Sequence, residues 1–366
     1  PPMTRIVTTQ LACGATLIVE PMSGVRSAAM TWLLPAGAAA DPVDRMGMAT
    51  MWSELVLRGA GSMNSREHAD NLDRMGINRS AESGILTFRI GMTCVGERFT
   101  DCLPLITPMV LSPRMEAEAI EPARDLALQS LASLADDPQE RVMLLARERH
   151  FPDPINRSGM GDEAGLKALM RTELIDGWKR HALPGGSIIG CAGHIDPARI
   201  HQDSILEKIA VTVLSGGMSG RLFTEVREKR GLCYAVSAGY RGDIDHGAVT
   251  AYVGTTPERA QDSLTVLLEQ LQRTATPEGR ITKEEFDRAV VGMKSSLVFS
   301  GESTGARAAA IAADHRRLGH ARSLEEMAGQ LDAVTLDQLN DYLARRPLGQ
   351  ITIQTLGPRP LTPPSL

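Results

Sequence analysis

The chain has 366 residues, more than one compact core usually holds, so two domains are expected. Net charge is −5, and the longest basic stretch is the short Arg227-Glu228-Lys229-Arg230, which excludes the electrostatic footprint of a nucleic-acid binder. No apolar run approaches a membrane span, and five cysteines without a C-x-x-C spacing argue against a disulfide framework or a thiolate zinc site.

In chain order, the opening Pro1-Pro2-Met3 lacks a charged leader followed by an apolar core. A removed leader would look the same, and a cytoplasmic location is favoured over a periplasmic one. Gly84–Gly91 reads as a strand, Glu97–Val110 as an apolar-striped helix and Glu116–Leu134 as a further helix. Leu166–Trp178 reads as a helix start followed by an amphipathic helix. The turn Pro184-Gly185-Gly186 then leads into a β-run at Ser187–Ala192. The second half opens with a helix at Ser204 and carries an alternating strand at Leu232–Tyr240. A strand at Ala248–Val253 and helices at Pro257–Leu271 and Thr282–Leu297 follow. Leu331–Leu343 repeats the pattern of Leu166–Trp178, and the turn Pro347-Leu348-Gly349 leads into a β-run at Gln350–Leu356. Two copies of a unit mixing strands with helices predict duplicated domains of α+β class, each a mostly antiparallel sheet covered by helices. The boundary is placed between residues 1–200 and 201–366.

The segment Leu214-Ser-Gly-Gly-Met-Ser-Gly-Arg-Leu-Phe-Thr-Glu-Val-Arg-Glu-Lys-Arg-Gly-Leu-Cys-Tyr-Ala-Val-Ser-Ala-Gly-Tyr240 closely resembles the second-domain signature of the pitrilysin-type metallopeptidases. The resemblance extends from about Arg5 to Gly357, including the Asp136-Asp-Pro-Gln139 turn and the Phe151–Gly159 loop. It implies two homologous domains forming half of a clamshell. Active members carry H-x-x-E-H on a helix of the first domain. Two histidines at i and i+4 share one helical face and hold zinc, while the glutamate holds the attacking water. The family pattern aligns without a gap on Gly47-Met-Ala-Thr-Met-Trp-Ser-Glu-Leu-Val-Leu-Arg-Gly59. Thr50 and Glu54 therefore stand at the two histidine positions and Ser53 at the general base. The third ligand, a later glutamate, falls on Ser130, and a second acidic position falls on Ala123. Hydroxyls are poor zinc ligands at neutral pH and one carboxylate does not make a tetrahedral site. No metal site is expected in this chain, and Glu54 reads as a carboxylate paired or solvated on a helix.

Arg227 and Tyr234 survive at the positions that, in the family, reach from the second domain to the zinc site. There the arginine holds a substrate carbonyl and the phenol faces the developing oxyanion. Outside this signature they would read as a surface Arg and a half-buried strand Tyr. Gly216 and Gly217 would let backbone approach substrate closely; a tight helix-entry turn is the structural alternative. The expectation is a zinc-less subunit of a heteromeric zinc peptidase, with zinc in a partner of the same family and a peptide as substrate. A purely structural subunit and a free-standing peptide-binding protein are the alternatives. The family usually carries some tens of further residues at Ile200-His201: either the protein has lost them or the sequence is missing them there, and since core strands are hard to lose the second is favoured.

Overall fold

The computed structural model describes residues 6–22, 25–193, 203–242, 247–346 and 351–363. The chain is an α+β protein whose contacts divide it into two compact units: Pro1–Ala198 with Gly301–Ser323, and Arg199–Ser300 with Leu324–Leu366.

The first unit is built on a six-stranded sheet of β1 (Val7–Gln10), β2 (Thr16–Pro21), β3 (Ser27–Leu34), β4 (Asn78–Ser83), β5 (Phe88–Val95) and β6 (Ile188–Gly193). Their spatial order is β1-β2-β6-β3-β5-β4. The β2–β6 pair is parallel and the other neighbours are antiparallel. Period-two alternation sends Met30, Trp32, Leu34, Phe88, Ile90 and Met92 to one face. There they pack with α1 (Met48–Leu55), α3 (Phe99–Leu111), α4 (Ala117–Ser133) and α7 (Arg171–His181). Between them in the chain, α2 (Ser65–Arg74) packs against α3, α5 (Pro138–His150) follows α4, and α6 (Glu163–Ala168) packs against α1 and α4.

The second unit begins with α8 (Asp203–Ser215), then a π-helical turn at Phe223–Glu228 and the hairpin β7 (Ala235–Gly242) and β8 (Gly247–Gly254). α9 (Ala260–Arg273) and α10 (Lys283–Gly301) follow. The chain next forms α11 (Thr304–Leu318), which belongs to the first unit, before α12 (Leu324–Ala333) and α13 (Leu336–Arg345). Residues 301–323, read from the sequence as part of the second domain, thus pack elsewhere.

α11 lies on the sheet face that α1–α7 leave open. Ile18 and Ile311 share one buried cluster, and Ala29, Ala192 and Ala308 another. Gly190 makes the close approach possible, because a Cβ there would stand 2.5 Å from the Ala308 carbonyl oxygen. Arg307, 1% exposed, donates two hydrogen bonds to Glu20 on β2, at 2.7 and 3.1 Å, and one to the Arg322 carbonyl. Covered on both faces, β3 is buried at six consecutive positions, Ala29–Leu34.

The repeat with an offset of 165 residues is real at the level of local structure. In each copy one helix stops and a second begins, α6 to α7 and α12 to α13. Glu173 accepts from the Met170 N–H at 2.8 Å, and Gln338 accepts from the Thr335 N–H at 2.9 Å, so the two helix starts are capped alike. Leu174 and Trp178 are buried at the places matched by Leu339 and Leu343. Two strand readings shift. Gly84–Gly91 is a turn followed by the start of β5, since Ile85 and Leu86 sit at the hairpin end where the Gly84 N–H donates to Thr87. Residues 351–356, the described part of the second β-run, join no ladder among the described residues. The junction Ile200–His201 lies outside the described residues.

Candidate functional site

α1 carries Thr50, Ser53 and Glu54, which the sequence resemblance aligns with the family's zinc motif. Its start is built by Asp41, whose buried carboxylate accepts from the Gly47 N–H at 2.8 Å and the Ala49 N–H at 3.1 Å. Burial pushes the Asp41 carboxyl up to about 6, against those N–H bonds, that of Met48 and the charge of Arg157. The helix is held to α7 by Trp52, whose ring donates to the Leu174 carbonyl at 2.9 Å and meets Trp178 edge-on at 5.4 Å. Met51, Trp52 and Leu55 thus face the core, and Thr50, Ser53 and Glu54 lie half-buried on the remaining surface.

Each of these three side chains is already engaged. The Thr50 hydroxyl donates to the Gly159 carbonyl at 2.8 Å, tying the helix to the Phe151–Gly159 loop. The Ser53 hydroxyl donates back to the Thr50 carbonyl at 2.6 Å, and Glu54 pairs with Arg58 at 3.2 Å. α4 packs against α1, but Ser130 on it is exposed and Ala123 is fully buried in the core. The donor set does not fit zinc: it has no imidazole or thiolate, and its one carboxylate faces a guanidinium. Among the described residues no three His, Cys, Asp or Glu side chains come together as a metal-holding group.

The second-domain signature folds as an anchored turn. Leu222 and Val226 are buried with Leu214, Val266 and Leu267. Arg221 reaches Glu285 at the start of α10 with two bonds, at 2.6 and 2.7 Å, and donates to the Gly279 carbonyl at 2.6 Å. With these residues turned inward, Arg227 stands exposed on the outer side of the π-helical turn, its guanidinium 5.0 Å above the Phe223 ring. Such turns occur often at functional sites. The chain then doubles back: the Gly231 N–H donates to the Arg227 carbonyl and the Leu232 N–H to that of Val226. This brings Cys233 within the field of Arg227. Burial raises that thiol while the guanidinium charge opposes the shift. Tyr234 follows at the mouth of β7, 64% exposed, its N–H bonded to the Gly254 carbonyl at 3.0 Å.

Gly216 and Gly217 follow the end of α8, in the short turn that leads into the helical segment beginning at Arg221. Gly217 has φ 95°, and a Cβ on Gly216 would stand 2.3 Å from the Thr212 carbonyl oxygen, so each glycine is explained by the turn itself. Both are exposed, beside the exposed Met218. The sequence named Arg227, Tyr234 and the lost ligands; it gave no signal for Gly254, Phe223 or Arg221.

Comparison with known proteins bears on this arrangement. Residues 181–293 match the family model described as the peptidase M16 inactive domain. A protein of Streptomyces coelicolor named an uncharacterized zinc protease is 25% identical over 420 aligned positions, covering 96% of this chain and 89% of the relative. One of Mycobacterium tuberculosis with the same description is 22% identical over 389 positions, covering 91% and 88%. The M16 inactive-domain structure from Pseudomonas fluorescens superposes with a TM-score of 0.78 at 16% identity, covering 93% of this chain and 94% of that one. A protease from Helicobacter pylori gives the same score at 15% identity, covering 93% and 96%. Residues 181–293 are thus similar to the peptidase M16 inactive domain, and the chain along most of its length to proteins described as zinc proteases. Both sequence alignments are longer than this chain, so these relatives carry residues within the aligned stretch that it lacks.

Proposed function

We propose that this chain is the zinc-less subunit of a heteromeric zinc peptidase and supplies Arg227 and Tyr234 to the partner's active site. The observation that carries this reading is an asymmetry. Every side chain at the zinc positions is tied up within the chain or stands apart. Arg227 and Tyr234 are instead held by an anchored turn, exposed, and without an ion pair or hydroxyl partner among the described residues. A guanidinium and a free phenol on a rigid turn are suited to a substrate carbonyl and to the oxyanion formed from it. Zinc, held by an H-x-x-E-H partner, would polarise that carbonyl and activate water; this chain would orient the carbonyl and donate a proton to stabilise the charge. The substrate is a short or unfolded peptide. Backbone pairing to a sheet edge such as β4 gives affinity with loose sequence preference.

The test is the complex reconstituted with its H-x-x-E-H partner. Tyr234→Phe lowers kcat by ~10²–10³, the loss typical of one oxyanion donor, and Arg227→Ala lowers kcat/KM. Assembly and zinc content stay unchanged. An intact complex of the double variant with full activity would establish a purely structural subunit instead.

A further inference from the structure

Gly254 ends β8 with no demand from its own backbone: its φ is not in the left-handed region, and it pairs in register with Ala235. A glycine inside a strand costs conformational entropy and contributes no packing, so the missing side chain has another use. A Cβ built at Gly254 would stand 2.9 Å from Cε2 and 3.1 Å from Cζ of Tyr234, and 2.8 Å from the Tyr252 hydroxyl oxygen. Two phenol side chains therefore converge on the space that a single methyl group would fill.

We infer that Gly254 is a positioning residue for Tyr234: its bare α-carbon is the floor on which the Tyr234 ring rests, with the Tyr252 hydroxyl closing the same space. The inference rests on the reading of Tyr234 as a group that acts in a partner's site, and gives that reading a physical mechanism. An exposed tyrosine on a strand end samples several rotamers. Contact with Gly254 on one side and Tyr252 on the other selects one of them before substrate arrives. The atoms that a methyl group would meet are the far ends of two tyrosine side chains, not backbone. The Tyr234 end is exposed and can swing away at little cost to the fold. Gly254→Ala is thus expected to leave stability intact while moving the phenol, the reverse of what a structural glycine would do.

The experiment has two arms, and the first needs no partner. The chain contains four tyrosines, at 234, 240, 252 and 342, so 3-fluorotyrosine labelling gives a small fluorine spectrum assignable by single Phe variants. In Gly254→Ala the resonances of Tyr234 and Tyr252 shift, those of Tyr240 and Tyr342 stay, and the denaturation midpoint is unchanged or raised. In the second arm the reconstituted peptidase carrying Gly254→Ala loses kcat by about 10–10²-fold with KM nearly unchanged, since a misplacement near 1 Å is enough for that. In a Tyr234→Phe background Gly254→Ala causes no further loss, because the hydroxyl it displaces is gone. Unmoved Tyr234 and Tyr252 resonances overturn the inference. So does a variant that unfolds, because the tyrosines then do not yield. Shifted resonances with full activity, in a complex that Tyr234→Phe also leaves fully active, would uphold the packing and refute both the catalytic use of Tyr234 and its positioning by Gly254.

Discussion

At Thr50, where the family pattern aligns a histidine, a hydroxyl donates to the Gly159 carbonyl and anchors a loop. Nearby Asp41 carries the clearest pH signature. Its folded value, about 6, lies above the ordinary 3.8, so the folded chain holds this proton more tightly than the unfolded chain between those values. The stabilisation is fully present below pH 4 and is lost as pH rises through 6. Asp41→Asn keeps one acceptor oxygen, for the Gly47 or the Ala49 N–H, and removes the titrating charge. Across pH 4 to 7 the parent is expected to lose on the order of 2 kcal/mol relative to Asp41→Asn, read from urea unfolding at each pH. Equal pH slopes for the two proteins would contradict the assignment. That Thr50, Ser53, Glu54 and Ser130 align with the family's zinc and base positions is a reading of residue type, which the sequence displays. Their present bonds were not legible there, since Gly159 is 109 residues from Thr50.

At the level of elements, pattern and partner contributed differently. α7 and α13 were legible because amphipathic spacing and caps are local. The β5 start was misread because Ile85 and Leu86 look like strand residues, yet the Ile85 carbonyl accepts from the Ala39 N–H at a hairpin end. The run 351–356 alternates convincingly, but among the described residues no strand accepts its ladder bonds. Helix α11 is the strongest case of a non-local decision. Its approach to β6 depends on Gly190, where a methyl group would meet backbone at Ala308 and the Ala312 side chain at 3.0 Å. Gly190→Ala is therefore expected to lower stability by about 1–3 kcal/mol, the usual cost of overpacking. The denaturant midpoint should fall with an unchanged m-value; an unchanged midpoint would show that the helix shifts freely.

For the whole molecule the prediction concerns metal. The isolated chain should carry no stoichiometric zinc and cleave no peptide, while the assembled peptidase should contain zinc held by its partner. One zinc per isolated chain by metal analysis would refute the account given for Thr50, Ser53, Glu54 and Ser130. The sequence by itself carried the α+β class, the resemblance to the M16 peptidases and the residue types at positions 50, 53, 54, 130, 227 and 234. These depend on residue identity and short-range spacing, which a chain displays before it folds. Tertiary structure alone decided that residues 301–323 cover the first unit's sheet, that Gly216 and Gly217 stand in a turn between helical segments, and that Gly254 makes room for Tyr234. Those outcomes depend on which surfaces meet across tens to hundreds of residues, and close packing settles that only once the partners are in place.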